Sequence, residues 1–478
     1  MGLRKGQHIR IEIVKAAFGG RGIGHFEGRV VFVQHAVPGD ILQAQVVKKK
    51  QNWAEARFVG LIRPSSDRIV PPCPFSGYCG GCQWQHLTYA RQLAYKQSFV
   101  SESLAHIGGL NHVTVHEVLP SPARFGYRNK MEFSFSDRPW LLPHQLGSGL
   151  APPPFALGLH VPGTFFKIID LDSCLLQNEE GNVILSVVKD FARQSGLPAY
   201  GLKSHAGFWR FLTVRRSDAS GQWLVNLVTA QSRPDTMRAL AAMLVERIEG
   251  VATVVNNIHS GKASVAIGSR EDLIFGEGFL EDRIGPYRFR ISANSFFQTN
   301  TAAAELLYRT AGRYAGLTGK ETILDLYSGT GTIPIFLSDQ AAQVTGIEIN
   351  PSAIEDARRN CEVNHIRNCR FLCGDTREIL KTIGQAPDVL IVDPPRAGLH
   401  QAVLQQIIDL RPEKVVYVSC NPSTLARDLA LLAPGFETLE IQPVDMFPHT
   451  YHVESVARLV RRRPFSALGS TLPEHSTA

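Results

Sequence analysis

An apolar, β-branched run, Val415-Val416-Tyr417-Val418-Ser419, stops abruptly at Cys420-Asn421-Pro422. A cysteine in that position is either a small buried hydrophobe or a nucleophile facing a ligand. Its neighbours in pattern favour chemistry. Other apolar runs end in the same way at acids: Asp325 in Thr322-Ile323-Leu324-Asp325-Leu326, Glu348 after Val344-Thr345-Gly346-Ile347, Asp375 after Phe371-Leu372-Cys373-Gly374, and Asp393 after Val389-Leu390-Ile391-Val392. In an open α/β sheet, ligands bind beyond the carboxyl ends of the strands, so these acids and the thiol are expected around one crevice.

Between Asp325 and Glu348 lies Tyr327-Ser328-Gly329-Thr330-Gly331-Thr332, followed by the apolar Ile333-Pro334-Ile335-Phe336-Leu337. That order predicts strand, tight loop and helix, with Pro334 in the first helical turn. The loop lacks the third glycine of the dinucleotide fingerprint, and Glu348 stands where an acid binds ribose hydroxyls. An acid before the loop and another on the ribose suit S-adenosylmethionine better than a pyrophosphate cofactor. Asp375 has two readings, a contact to the adenine amino group or a helix N-cap. Asp393-Pro394-Pro395-Arg396 holds a carboxylate rigidly at the end of the fourth strand.

The chain carries eight cysteines. Three are clustered as Cys73, Cys79 and Cys82, with glycines between them that let the backbone bring the sulfurs together, and Cys174 is the best candidate for a fourth ligand. Four thiolates would accept a tetrahedral zinc or a [4Fe-4S] cluster, and the three-plus-one spacing favours the cluster. Cys361, Cys369 and Cys373 have no partner motif and read as buried packing residues.

These residues need elements to position them. The 478 residues carry a net charge of +7, too mild by itself to require a polyanionic partner. No run reaches the apolar length of a membrane span, and the N-terminus leads into an alternating strand, so a cytoplasmic protein is expected. Residues 1 to 62 alternate in short strands between glycine turns, which predicts a small β-barrel. Lys48-Lys49-Lys50 and Trp53 are either its solvated hairpin tip or a face for nucleic acid. Residues 63 to 290 read as an α+β domain. From 291 to 463, strands alternate with amphipathic helices, which predicts a largely parallel doubly wound sheet. Residues 464 to 478 have the composition of a disordered tail.

Nearly the whole chain resembles the RumA/TrmA-type RNA uracil-5-methyltransferases. The matches include Gly22-Ile23-Gly24 of a TRAM-like segment, the four cysteines, Tyr127 to Phe133, Ser295 to Asn300, the glycine loop, Asp393 to Arg396, Ser419 to Pro422 and Asp445 to Glu454. The fold that this implies is α/β: a Rossmann-like methyltransferase domain preceded by an OB-like TRAM barrel and an α+β iron–sulfur domain. The resemblance also implies Cys420 as the nucleophile for carbon 6 of uracil and Glu454 as the base at carbon 5, although His449 and His452 look like better bases by type. It further implies S-adenosylmethionine contacts from Gln298, Tyr327, Glu348 and Asp393, with Asp375 added on its position. Phe296 is the expected stacking platform for the target base, and Arg128, Lys130 and the Lys48 run become expected RNA contacts. Thr332 departs from the asparagine common in relatives. The expected substrate is 23S rRNA, with tRNA as the alternative; a non-catalytic RNA-binding iron–sulfur protein is a reading from another class. No obligate protein partner is implied.

Overall fold

The computed structural model describes residues 3–143, 145–146 and 152–462; the tail expected from 464 lies outside them. The N-terminal strands close into a barrel in the order His8–Ala16, Gly22–Phe26, Arg29–Val33, Trp53–Arg63, Ile41–Lys49, back to the first. Alternate residues Ile9, Ile11 and Ile13 point inward onto Val31, Val33, Leu42 and Val46, all at most 3% exposed, as a period of two requires.

The middle of the chain forms a seven-stranded sheet in the order Arg270–Phe275, Val251–Ile258, Trp223–Thr229, Trp209–Arg216, Lys130–Ser136, Ala156–His160, Ile168–Asp170. Its two faces differ. Met131, Phe133, Leu212, Val214 and Val225 join one core with the helices Glu179–Gln194 and Pro234–Arg247. The opposite face carries Lys130, Glu132 and Ser134, which pair in register with Arg215, Thr213 and Phe211.

The C-terminal sheet has eight strands. Cys369–Cys373, Gln343–Glu348, Thr322–Leu326, Val389–Val392 and Lys414–Ser419 run parallel in that spatial order. The strands Glu454–Arg461 and Phe436–Val444 then add antiparallel pairings. Strand order reverses between Thr322–Leu326 and Val389–Val392, and such a switch point opens a crevice at the carboxyl ends.

One connection differs from a contiguous central domain over 63–290. The eighth strand, Thr114–Val115, pairs with Phe436–Val444 of the C-terminal sheet. The helix Tyr89–Ser103 goes with it, because Val100 and Leu104 pack on Leu425, Ala426 and Leu429 beside the thiol strand. A two-residue strand has no periodicity to read. Among the described residues no helix is long and apolar enough to cross a membrane.

Candidate active site

The crevice is walled by acids. Asp325 is 1% exposed, and neither of its carboxylate oxygens has a hydrogen-bond partner. Burial first, then the charges of Asp393 and Glu348, push its pKa well above the usual range. Burial likewise pushes Asp393 up to about 7. Glu348 is held differently: it accepts hydrogen bonds from the backbone N–H groups of Gly329 (3.1 Å) and Asn350 (2.9 Å). Leaving a buried carboxylate unpaired is costly, so this pocket suits a ligand that brings positive charge.

The glycine loop shapes its floor. Gly331 has φ 76° at the start of helix Thr332–Leu337, and a Cβ there would come within 2.8 Å of the Phe371 ring. Tyr327 also has positive φ, 67°, which is a true outlier for a bulky side chain and marks a constrained position. Thr332 Oγ1 lies 3.0 Å from the hydroxyl of buried Tyr308, and the Gln298 side chain reaches the same hydroxyl. Asp375 is the N-cap of helix Thr376–Leu380, accepting from Arg377 N at 2.8 Å. Bonding to the Arg377 side chain drives its carboxyl down to about 2.

Cys420 sits between strand Lys414–Ser419 and helix Pro422–Leu432, whose first turn Asn421 caps by accepting from Ser423 N. Ser419 pairs with Ser455 across the antiparallel ladder, so Cys420 and Glu454 are the next residues opposite each other. Burial, then Glu454 and Asp393, push the thiol up to about 11, while Arg396 pulls it down. Burial and Asp393 push Glu454 up to about 8, again opposed by Arg396. On the other wall Phe296 is 68% exposed, while Ser295 and Phe297 on either side are buried. Its carbonyl accepts from Thr330 Oγ1, and Arg215 donates to the carbonyl of Ser295. Thiol, acids and exposed ring thus border one crevice.

The family model described as tRNA (Uracil-5-)-methyltransferase matches residues 210–462, and the TRAM domain model matches residues 2–59. The chain belongs to the RumA/TrmA-type RNA uracil-5-methyltransferase family. An uncharacterized RNA methyltransferase of Chlorobaculum tepidum is 42% identical over 95% of this chain and 96% of its own length. Another, from Halalkalibacterium halodurans, is 38% identical over 96% and 98%. Among solved structures, the Pyrococcus abyssi tRNA (uracil-54, C5)-methyltransferase in complex with S-adenosyl-L-homocysteine is similar with TM-score 0.74 and 30% identity, covering 95% of this chain and all of that one.

In this methyltransferase the loop 445–453, which delivers Glu454, is clamped from outside the C-terminal sheet. Lys96 and Asp445 form a fully buried ion pair at 2.6 Å, and the Tyr89 hydroxyl donates to the same carboxylate. Tyr127 donates to Pro448 O, and Asn300 donates to Met446 O. The His449 carbonyl accepts from the N–H groups of Gln83 and Trp84, and its ring stacks on Phe125 at 4.3 Å. Burial pushes His449 and His452 down to about 4, which leaves both neutral at pH 7. The Lys96–Asp445 pair had no sequence signal, since 349 positions separate its members.

The four cysteines meet. Cys73, Cys79, Cys82 and Cys174 line one small pocket with Phe75, Leu159, Leu171 and Leu176. Gly81 N donates to Cys79 Sγ at 3.4 Å, and Gln85 Nε2 donates to Cys82 Sγ at 3.2 Å. Burial raises all four thiols, Cys79 and Cys82 to about 12. Among the described residues, no three His, Cys, Asp or Glu side chains are grouped so as to hold a single metal ion.

Two placements correct the sequence reading. Arg128 does not lie open for RNA: it faces Tyr127, Cys82 and Cys174, and although burial pulls its pKa down, those neighbours hold it above the ordinary value. Arg128 precedes the strand that begins at Lys130, so no strand alternation marks which way its side chain turns. Lys130 stays partly exposed, 3.9 Å from Glu132. Cys373 is exposed rather than buried, although Cys361 is buried and Cys369 half-buried. On the barrel, Lys48 lies 5.1 Å over the Trp53 ring.

Proposed function

We propose that this enzyme transfers a methyl group from S-adenosylmethionine to carbon 5 of a uridine in structured RNA through a covalent Cys420–uracil adduct. The observation that carries the reading is the Cys420–Glu454 pair at the end of the ladder, beside a pocket in which the buried carboxylate of Asp325 has no partner. S-adenosylmethionine supplies an electrophilic methyl group and positive charge. Asp325, Asp393, Glu348, Tyr327 and Gln298 border the space for it, with Asp375 at its outer rim. A cation beside Asp325 and Asp393 lets both ionise, and pairing Asp393 also relieves its repulsion of Cys420 and Glu454.

The chemistry needs two proton movements. Carbon 5 of uracil is a poor nucleophile. Cys420 gives its proton to solvent water, the thiolate bonds to carbon 6, and the ring π electrons move to an enolate; Arg396 is the cation whose charge reaches Cys420 and Glu454. Carbon 5 then attacks the sulfonium methyl group; the S–CH3 bond breaks, and its electron pair leaves with sulfur as neutral S-adenosylhomocysteine. Glu454 removes the proton from carbon 5, the C5–C6 double bond re-forms, and the thiolate leaves. Exposed Phe296 offers a face for the flipped base. Thr332, at the usual asparagine position, spends its hydroxyl on Tyr308 and fixes the pocket through that phenol.

The four-cysteine pocket fits a resident [4Fe-4S] cluster. The three-plus-one spacing of Cys73, Cys79, Cys82 and Cys174 favours the cluster over zinc, and N–H groups of Gly81 and Gln85 already reach two of the sulfurs that line the pocket. Such donors and the Arg128 charge stabilise thiolates. The cluster would hold the central domain together and transfer no electron in methylation.

The favoured substrate is 23S rRNA, because the TRAM barrel and the four cysteines together resemble rRNA-type members. The likeness to the Pyrococcus abyssi tRNA enzyme over 95% of the chain supports tRNA as the second reading. Mass spectrometry of ribosomal and transfer RNA from a deletion strain decides between them. Loss of 5-methyluridine from 23S rRNA, restored by the wild-type gene and not by Cys420→Ala, is the expected result. Loss from tRNA instead selects the second reading, and no loss from any RNA contradicts the activity in that cell.

A further inference from the structure

The loop that delivers Glu454 is gripped firmly at one end and lightly at the other. Hydrogen bonds from outside the loop reach Asp445, Met446, Phe447, Pro448 and His449. Beyond them, among the described residues, the backbone of residues 451–453 is tied only by His452 N donating to Thr450 Oγ1 of the same loop. Side-chain packing therefore sets the approach to the base. Val453 is fully buried in the core of the C-terminal sheet. Tyr451 packs on the N-terminal barrel instead.

The contact is made by the hairpin between the first two barrel strands. Ala17 N donates to Arg21 O at 2.7 Å and Gly20 N to Ala17 O at 3.0 Å, which closes a tight turn carrying Phe18. The Phe18 ring meets Tyr451 edge to face at 5.3 Å between centroids, and Phe99 at 5.7 Å. Gly20 lies against the same tyrosine: its φ is 80°, and a Cβ there would stand 3.2 Å from the side chains of both Tyr451 and Gln83. Only glycine allows that approach. Trp84 joins the two sides, with Nε1 donating to Gly20 O at 3.4 Å and its backbone N–H to His449 O at 2.9 Å. Tyr451 in turn lies 4.2 Å from the His452 ring.

Attachment of the barrel explains part of this arrangement. Ala16, Val37, Trp84, Leu87 and Phe99 form a small core between the barrel and the helix Tyr89–Ser103, with Tyr451 packed against it. That core does not include Phe18, which is 37% exposed. Its ring contributes little burial, yet it rests on the residue three positions before the base.

We propose that Phe18 is a positioning residue for the base: through Tyr451 it fixes residues 451–453, and with them the reach of Glu454 to carbon 5 of the uracil. The inference rests on the reading of Cys420 and Glu454 given above and gives the barrel a part in the chemistry. The step it serves is the last one. Glu454 takes the proton from carbon 5, the C–H electron pair forms the C5–C6 double bond, and the C6–S pair leaves with Cys420 as thiolate. Proton transfer needs its two partners within hydrogen-bond reach, and a misplacement of about 1 Å can cost ~10²-fold. Attack on carbon 6 and methyl transfer depend on the strand Lys414–Ser419 and the acid-walled pocket, neither of which is among the ring contacts of Phe18.

Phe18→Ala removes the ring from an exposed site, and Phe18→Tyr keeps it. Phe18→Leu, closer in volume, repeats the test should Phe18→Ala fail to fold. The substrate is whichever transcript, of a 23S rRNA fragment or of a tRNA, the wild type methylates. Phe18→Ala is expected to lower kcat about tenfold, with KM for RNA within about threefold, and to accumulate adduct on ordinary uridine RNA in denaturing gels. Its rate of adduct formation with 5-fluorouridine RNA and S-adenosylmethionine, which needs no proton removal from carbon 5, should stay within about threefold. Phe18→Tyr should keep kcat within about twofold of wild type, as should Val14→Ala, an exposed change elsewhere on the barrel. A raised KM with unchanged kcat would make the hairpin an RNA contact and overturn the proposal. Equal slowing of the 5-fluorouridine adduct, a lower kcat without adduct on ordinary RNA, or wild-type kinetics in Phe18→Ala would also overturn it. If the wild type forms no adduct with 5-fluorouridine RNA, the parent reading fails instead.

Discussion

The crevice at the C-terminal sheet and the four-cysteine pocket are both built from titratable side chains, and burial shifts both sets, yet they are finished in opposite ways. In the crevice, Asp325 has no partner for either oxygen, Asp393 is raised to about 7 and Glu454 to about 8. In the cysteine pocket, N–H groups already point at Cys79 and Cys82, and the remaining wall is mostly apolar, with Phe75, Leu159, Leu171, Leu175 and Leu176 beside Ser76 and Ser173. A site left electrostatically incomplete suits reactants that arrive, react and leave. A site whose sulfurs are already provided with donors suits a group that stays.

The sharpest way to separate the two is to remove the base. Glu454→Gln keeps the shape but cannot take the carbon 5 proton, so turnover should fall by ~10²–10⁴. The adduct on ordinary uridine RNA should accumulate, which denaturing gels would show. Cys82→Ser should remove most bound iron and sulfide, read by elemental analysis of anaerobically purified protein, and lower the melting midpoint. S-adenosylhomocysteine affinity should stay within about threefold, because the acids lie on another sheet. A large loss of that affinity would break the division between the two regions.

Smaller effects test the buried acids. Asp325→Asn should weaken S-adenosylhomocysteine binding about tenfold by calorimetry while leaving the ligand-free melting midpoint unchanged or higher, since it removes a buried ionisable group. The acids also predict a pH dependence. The folded pKa values of Asp393 and Glu454, about 7 and about 8, lie above the ordinary values of 3.8 and 4.5. Their contribution to stability is therefore fully present below about pH 4 and is lost as pH rises toward 8. The ligand-free midpoint should decline across that window, and Asp393→Asn should flatten the decline.

Much of the crevice was legible because each parallel strand announces its own end: Asp325, Glu348, Asp393 and Cys420 all follow apolar runs, and the sheet rule places them together. The barrel was legible from alternation. What escaped the sequence was orientation and distance. Whether Arg128 faces RNA or the Cys82 thiol depends on packing around a single side chain. The crossing of residues 89–115 to the C-terminal sheet rests on a two-residue strand. The clamp on the Glu454 loop joins Lys96 to Asp445 from opposite ends of the chain, and no local pattern encodes such a pair. Asp375 shows a different limit, since an N-cap and an adenine contact use the same residue type at the same strand end.

The covalent role of Cys420 is tested most directly with RNA containing 5-fluorouridine, whose carbon 5 has no proton to lose, so that an adduct once formed cannot be released. Incubated with S-adenosylmethionine, the wild-type enzyme should give a denaturation-resistant RNA–protein complex whose cross-linked peptide contains Cys420, and Cys420→Ala should give none. A complex of equal yield in Cys420→Ala, or one mapped to another residue, would contradict the account.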